Sequence, residues 1–137
     1  MIPSPPLLPR ISDYAAWQAE HRPRAEALVL GERRVSFQAL HESVEALARA
    51  LLAAGLSKGD RVATLQTPHP DYLTVFLATA SIGAIWVGLN PRYRLGELTH
   101  VIMDAEPSVL ITRTVIEDRR YHDEIEARSV PEIVELA

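Results

Sequence analysis

The 137 residues include no cysteine, which excludes a disulfide framework, a thiolate nucleophile and any cysteine-based metal site. Lysine is nearly as scarce. Lys58 is the single one, so chemistry requiring a catalytic lysine has one candidate, in what reads as a surface turn. No apolar run approaches the ~20 residues needed to span a membrane. Met1-Ile2-Pro3-Ser4-Pro5-Pro6 has no basic segment leading into an apolar one, so a secretory signal is not expected and a cytoplasmic location is. Basic residues are scattered over a chain of net charge -4. That argues against a nucleic-acid surface, which needs a clustered basic face. Also missing are G-x-G-x-x-G, G-x-x-x-x-G-K-[ST], G-x-S-x-G and H-E-x-x-H.

What is present is patterned. Residues 1–12 form a proline-rich extended arm, carrying Pro3, Pro5, Pro6 and Pro9. Residues 13–60 read as helix, hairpin, helix. Ser12 or Asp13 is placed to cap a short helix through Tyr14, Trp17 and Gln18, stopped by Pro23. Ala27–Leu30, Gly31-Glu32 and Arg33–Val35 predict a hairpin. Phe37, Leu40, Val44, Leu47, Ala48, Leu51 and Leu52 recur with a period of about 3.6, predicting a helix over 37–54 with Ser36 as N-cap and Gly55 just past its end.

Residues 61–137 repeat a strand–helix unit. Strands are predicted at Arg61–Leu65, Ala84–Val87, Val109–Thr112 and Glu132–Leu136, with helices starting at Pro70, around Leu98–Ala105 and over Glu117–Ala127. Such spacing is the mark of βαβ units and a parallel sheet. The fold class is therefore α/β, with parallel-sheet βαβ units flanked by helices. Ala84-Ile85-Trp86-Val87 has no polar residue and reads as a strand buried on both faces, in the middle of the sheet. The third helix is highly charged, with only Tyr121 and Ile125 turned inward, and the final strand has nothing after it. Both features predict an incomplete sheet with no second domain.

Few residues invite chemistry. His21, His41, His69, His100 and His122 share no ligand spacing, so no metal site is expected. Glu117, Asp118, Asp123, Glu124 and Glu126, interleaved with Arg119, Arg120 and Arg128, read as a solvated helix with ion pairs. Ser81 lies near a helix end without a patterned base. Trp86 belongs to the core unless it faces the sheet's carboxyl edge. Arg92 and Arg94 lie just beyond a strand end, where ligands of α/β sheets bind. They are either phosphate-binding groups or two exposed arginines.

Residues 35–112 resemble the opening of the adenylate-forming (AMP-binding) superfamily, most of all an acyl-CoA synthetase or aryl-CoA ligase. Val35-Ser36-Phe37-Gln38-Ala39-Leu40 resembles the family's first core motif, and Gly55-Leu56-Ser57-Lys58-Gly59-Asp60-Arg61-Val62-Ala63 its Gly-Asp-Arg-Val-Ala turn and strand. Ala80–Pro91 is similar to the second core motif, and Asn90-Pro91-Arg92-Tyr93, Glu97-Leu98, Asp104-Ala105 and Val109–Thr112 follow in the family's order. Ala39 departs from the family's frequent glutamate, Arg94 from its Ser/Thr cap and Gly88 from its proline.

The resemblance covers only the opening portion of a family N-terminal domain. It implies, for a full-length protein, ATP, Mg and CoA as cofactors and co-substrates. A carboxylic acid would be converted to acyl-adenylate and then to a thioester. None of the family's catalytic motifs is matched here, so no catalytic residue is assigned and this chain is expected to be inactive alone. The resemblance places Asn90, Arg92 and Arg119 near the nucleotide end of CoA, with Arg92 and Arg119 bordering a phosphate. A competing expectation is a non-catalytic flavodoxin-like binding or assembly module from a truncated gene, pairing through an open sheet edge. A homo-oligomer is compatible with either.

Overall fold

The computed structural model describes residues 3–113, 115–116, 118–121 and 130–136. Its elements are α1 (Ile11–His21), β1 (Glu26–Leu30), β2 (Arg33–Ser36), α2 (Phe37–Ala53), β3 (Arg61–Leu65), α3 (Pro70–Ser81), β4 (Ile85–Leu89), α4 (Leu95–Ala105), β5 (Val109–Arg113), β6 (Val115–Ile116), β7 (Arg119–Arg120) and β8 (Glu132–Leu136). They fall into two compact units, Met1–Gly55 with His69–Gly83, and Leu56–Pro68 with Ala84–Ala137.

In the first unit α2 packs against both α1 and α3. Its apolar stripe supplies buried Leu40, Val44 and Leu51. Ser36 Oγ accepts the backbone N–H of Ala39 at 3.2 Å, satisfying one of the donors a helix start leaves open. The helix stops because Gly55 takes φ +92, a left-handed conformation that costs glycine nothing, and its N–H turns back to Leu52 O at 3.0 Å. Pro70 occupies the first turn of α3, with His69 Nδ1 accepting the Asp71 N–H at 3.2 Å. The expected cap of α1 is not the one used. The helix begins at Ile11, Arg10 is its N-cap without a side-chain cap bond, and Ser12 is buried inside the first turn. Asp13 is engaged instead by Arg10 Nε at 3.3 Å.

The second unit is built on a parallel sheet in the order β4-β3-β5-β8. This is the doubly wound order in which the first strand lies inside and the chain reverses direction beside it. Register pairs Val62 with Trp86 on one side and Val109 on the other, and Leu65 with Leu89 and Thr112. Thr112 Oγ1 donates to Leu65 O at 3.0 Å, adding a side-chain bond to the β3–β5 seam. One face of the sheet, through Ala63, Leu65, Leu89 and Leu110, packs with Leu98 and Ile102 of α4.

The turn before β3 uses Gly59, Asp60 and Arg61 together. Gly59 sits at φ +92. Asp60 Oδ2 accepts the Ser57 N–H at 2.7 Å, closing the turn. Arg61 then reaches the far end of α4, where Nε donates to Ala105 O at 2.7 Å and its guanidinium to Glu106 O at 2.8 Å. A cation on the carbonyls that a helix end leaves unpaired is doubly favourable, by hydrogen bonding and by the helix dipole. At the other end of α4, Arg94 has no acceptor atom with which to cap, and Glu97 supplies the reciprocal half of a capping box. Its Oε2 accepts the Arg94 N–H at 2.6 Å.

Two further expectations need correction. Ala84–Val87 is not a doubly buried central strand. β4 runs over Ile85–Leu89 at the edge of the sheet, with Ile85 53% exposed and only Leu89 fully buried. The centre belongs to β3, whose Thr64 is 0% exposed despite its hydroxyl. Burial on both faces follows from strand order, which a run of four apolar residues does not encode. The third helix also fails in part. Arg119–Arg120 form a short strand antiparallel to Val115–Ile116, and Asp118 at φ +68 makes the turn between them. The rest of that predicted helix, residue 117 and residues 122–127, lies outside the described residues.

The corrected strand order makes a sharp contrast. Leu110→Ala, at a 0% exposed site in β5, is expected to cost about 2–5 kcal/mol in urea unfolding. Ile85→Ala on the edge is expected to stay within about 1 kcal/mol of the parent. Equal losses at the two positions would contradict the assignment of β4 to the edge.

Candidate functional site

β4 ends at Leu89, and Asn90-Pro91-Arg92-Tyr93 turns the chain from its carboxyl end toward α4. Pro91 cannot continue a ladder, which makes the stop local and firm. Asn90 closes the turn twice. Its Oδ1 accepts the Arg92 N–H at 2.9 Å, and its backbone carbonyl accepts the Tyr93 N–H at 3.0 Å.

A second segment holds this turn from outside, through the carbonyls of Pro91 and Tyr93. Arg119 donates through Nη1 to Tyr93 O at 2.9 Å and to Pro91 O at 3.5 Å. The Tyr121 hydroxyl donates to Pro91 O as well. The Arg119 guanidinium lies 4.4 Å from the centre of the Tyr121 ring, a cation–π distance. Tyr121 is 2% exposed, so its hydroxyl must find a protein partner, and the Pro91 carbonyl is that partner. The hairpin following β5 therefore reaches the turn following β4, past the intervening β3.

Of the residues singled out from the sequence, Arg119 meets the Asn90–Tyr93 turn through the carbonyls of Pro91 and Tyr93. Asn90 and Arg92 are exposed at the turn, and Arg119 is half-buried behind it. Arg94 is also exposed and serves as the N-cap of α4. A groove of about 380 Å³, lined by Tyr93, Gly96, Glu97, His100 and Val101, opens on α4 beside the turn. Tyr121 was expected to be inward-facing, and it is buried, but its role toward the turn was not foreseen. The available signal was a tyrosine in a charged stretch: a ring that must be buried carrying a hydroxyl that must be satisfied.

Ser81, His21 and His41 have structural partners. Ser81 Oγ donates to Ala78 O at 2.7 Å, within its own helix. His21 stacks on Trp17 at 4.0 Å, and His41 lies 3.6 Å from Glu45. His122 falls outside the described residues. Among the described residues no three of His, Asp and Glu gather in a group able to hold a metal ion. Chemically, the turn after β4 offers an exposed guanidinium, a carboxamide and a second guanidinium behind them. That set suits anion recognition at the carboxyl edge of a parallel sheet.

Comparison with known proteins fits this architecture. The family model for the AMP-binding enzyme matches residues 15–136. A feruloyl-CoA synthase of Amycolatopsis sp is 40% identical over 101 residues, which is 74% of this chain and 21% of that protein. The fatty acid–acyl-carrier-protein ligase ScoC of Streptomyces coeruleorubidus is 30% identical over 105 residues, 77% of this chain and 20% of that protein. A solved structure from Rhodopseudomonas palustris, assigned as a long-chain-fatty-acid CoA ligase, superposes with a TM-score of 0.83 at 26% identity. It covers 93% of this chain and 33% of its own. The chain thus spans about a fifth of the length of the curated relatives it matches. With the match running through nearly every element described above, this chain belongs to the AMP-binding, adenylate-forming enzyme family.

Proposed function

We propose that these residues are the opening portion of an ATP-dependent acyl- or aryl-CoA ligase. A carboxylate attacks the α-phosphate of ATP, releasing pyrophosphate and forming an acyl-adenylate. The thiol of CoA then attacks the acyl carbon, forming the thioester and expelling AMP. The observation that carries this choice within the family is the Asn90–Tyr93 turn, which presents Arg92 to solvent at the carboxyl edge of the sheet. The 40% identical relative, a feruloyl-CoA synthase, supports a CoA-dependent second step.

In this reading Asn90, Arg92 and Arg119 border the nucleotide end of CoA. Arg92 is the group assigned to a phosphate, because it is exposed and its backbone alone is used by the turn. A guanidinium pairs with phosphate through two parallel donors, which a lysine cannot reproduce. The chain lacks the Ser/Thr/Gly-rich phosphate loop and the adenylating lysine that the family resemblance calls for. We therefore assign adenylation to parts of the enzyme other than these residues.

Two measurements test this. The purified 137-residue chain is expected to show no carboxylate-dependent ATP–pyrophosphate exchange; measurable exchange would overturn the assignment of adenylation elsewhere. In the complete gene product, Arg92→Ala is expected to raise KM for CoA about tenfold, the size of one lost charge-assisted hydrogen bond. An unchanged KM would remove Arg92 from the CoA site.

A further inference from the structure

Around Arg92 the backbone is restrained from both sides. The carbonyl before it, Pro91 O, accepts from Tyr121 and Arg119, and the carbonyl after it, Tyr93 O, accepts from Arg119. Its own N–H is taken by Asn90 Oδ1 at 2.9 Å. The side chain alone is left to reach outward. The donors themselves are well held, since Tyr121 is 2% exposed and the two side chains stack at 4.4 Å. Ile116, from the same hairpin, packs in the sheet core with Leu65, Leu89 and Leu110. Motion of the turn would therefore have to break bonds anchored in the core.

We propose that Tyr121 and Arg119 are positioning residues that set the enzyme's preference for a 3′-phosphorylated CoA. They do so by fixing the backbone on both sides of Arg92 and thereby the point and direction from which its side chain leaves the turn. This rests on the assignment of Arg92 to the nucleotide end of CoA. A point-charge attraction tolerates a wandering side chain, whereas bidentate recognition of one phosphate requires a fixed starting geometry. Loss of the clamp would weaken the contact without removing the charge. Phenylalanine at 121 keeps the ring, its packing and its stacking on Arg119, and removes only the hydroxyl bond to Pro91 O.

The test is the ratio of kcat/KM for CoA to that for 3′-dephospho-CoA, measured on the complete gene product and its variants. The ratio is internal to each preparation, so loss of folded protein cancels. Tyr121→Phe and Arg119→Lys are each expected to lower the parent's preference for CoA about threefold or more, within the range one neutral hydrogen bond supplies. Arg92→Ala should lower it furthest. If Arg92→Ala abolishes the preference while Tyr121→Phe and Arg119→Lys leave it at the parental value, the clamp is overturned and the CoA assignment stands. If Arg92→Ala leaves the preference intact, the CoA assignment fails and the clamp's proposed role fails with it.

Discussion

Everything in the second unit depends on β3 being hydrogen-bonded on both sides. With β4 on one flank and β5 on the other, the strand buries Val62, Ala63, Thr64 and Leu65 completely. That double pairing fixes the register of its neighbours. It also places the carboxyl ends of β3, β4 and β5 along one edge, where ligands of doubly wound sheets bind. Arg61 ties the same strand to α4 through the carbonyls of Ala105 and Glu106, so the helix cannot drift from the sheet it covers. The Gly59-Asp60-Arg61 turn is thus a mechanical joint between strand and helix.

From that frame the candidate site follows in two steps. β4 ends in a turn closed by Asn90, and the segment after β5 crosses back to grip it with Arg119 and Tyr121. Each contact satisfies a group that would be costly to bury alone: the Tyr121 hydroxyl, and a guanidinium shared between two carbonyls. What remains outside the network is the Arg92 side chain, at the edge of the sheet. The arrangement separates holding from presenting, with the half-buried arginine behind the turn and the exposed one upon it.

Much of this was legible in the residues. The period of α2, Ser36 as its cap, Gly55 beyond its end and Pro70 in the first turn of α3 are local signals, and each landed within a residue or so. The strands β3, β5 and β8 were visible as short apolar runs at regular spacing. Strand order was not, because Ala84–Val87 looks as apolar as a central strand while β3 carries Thr64 and starts with arginine. Only the crossover direction decides which is inside. Asn90, Arg92 and Arg119 could be named from the family resemblance, but their meeting could not be derived from spacing. Arg119 and Tyr121 sat in a stretch whose charge pattern suggested a helix, where positions two apart do not share a face and could not both reach the turn. Long-range satisfaction of buried polar groups overrode that local preference.

Arg119 and Tyr121 hold the Asn90–Tyr93 turn in one conformation. Native-state hydrogen exchange at the Arg92 and Tyr93 amides reads it most directly, since both N–H groups are bonded within the turn. Both amides should be protected in the parent protein, and Tyr121→Phe should speed their exchange about tenfold while β3 amides keep their protection. Unprotected turn amides in the parent, or protection indifferent to the hydroxyl of Tyr121, would contradict it.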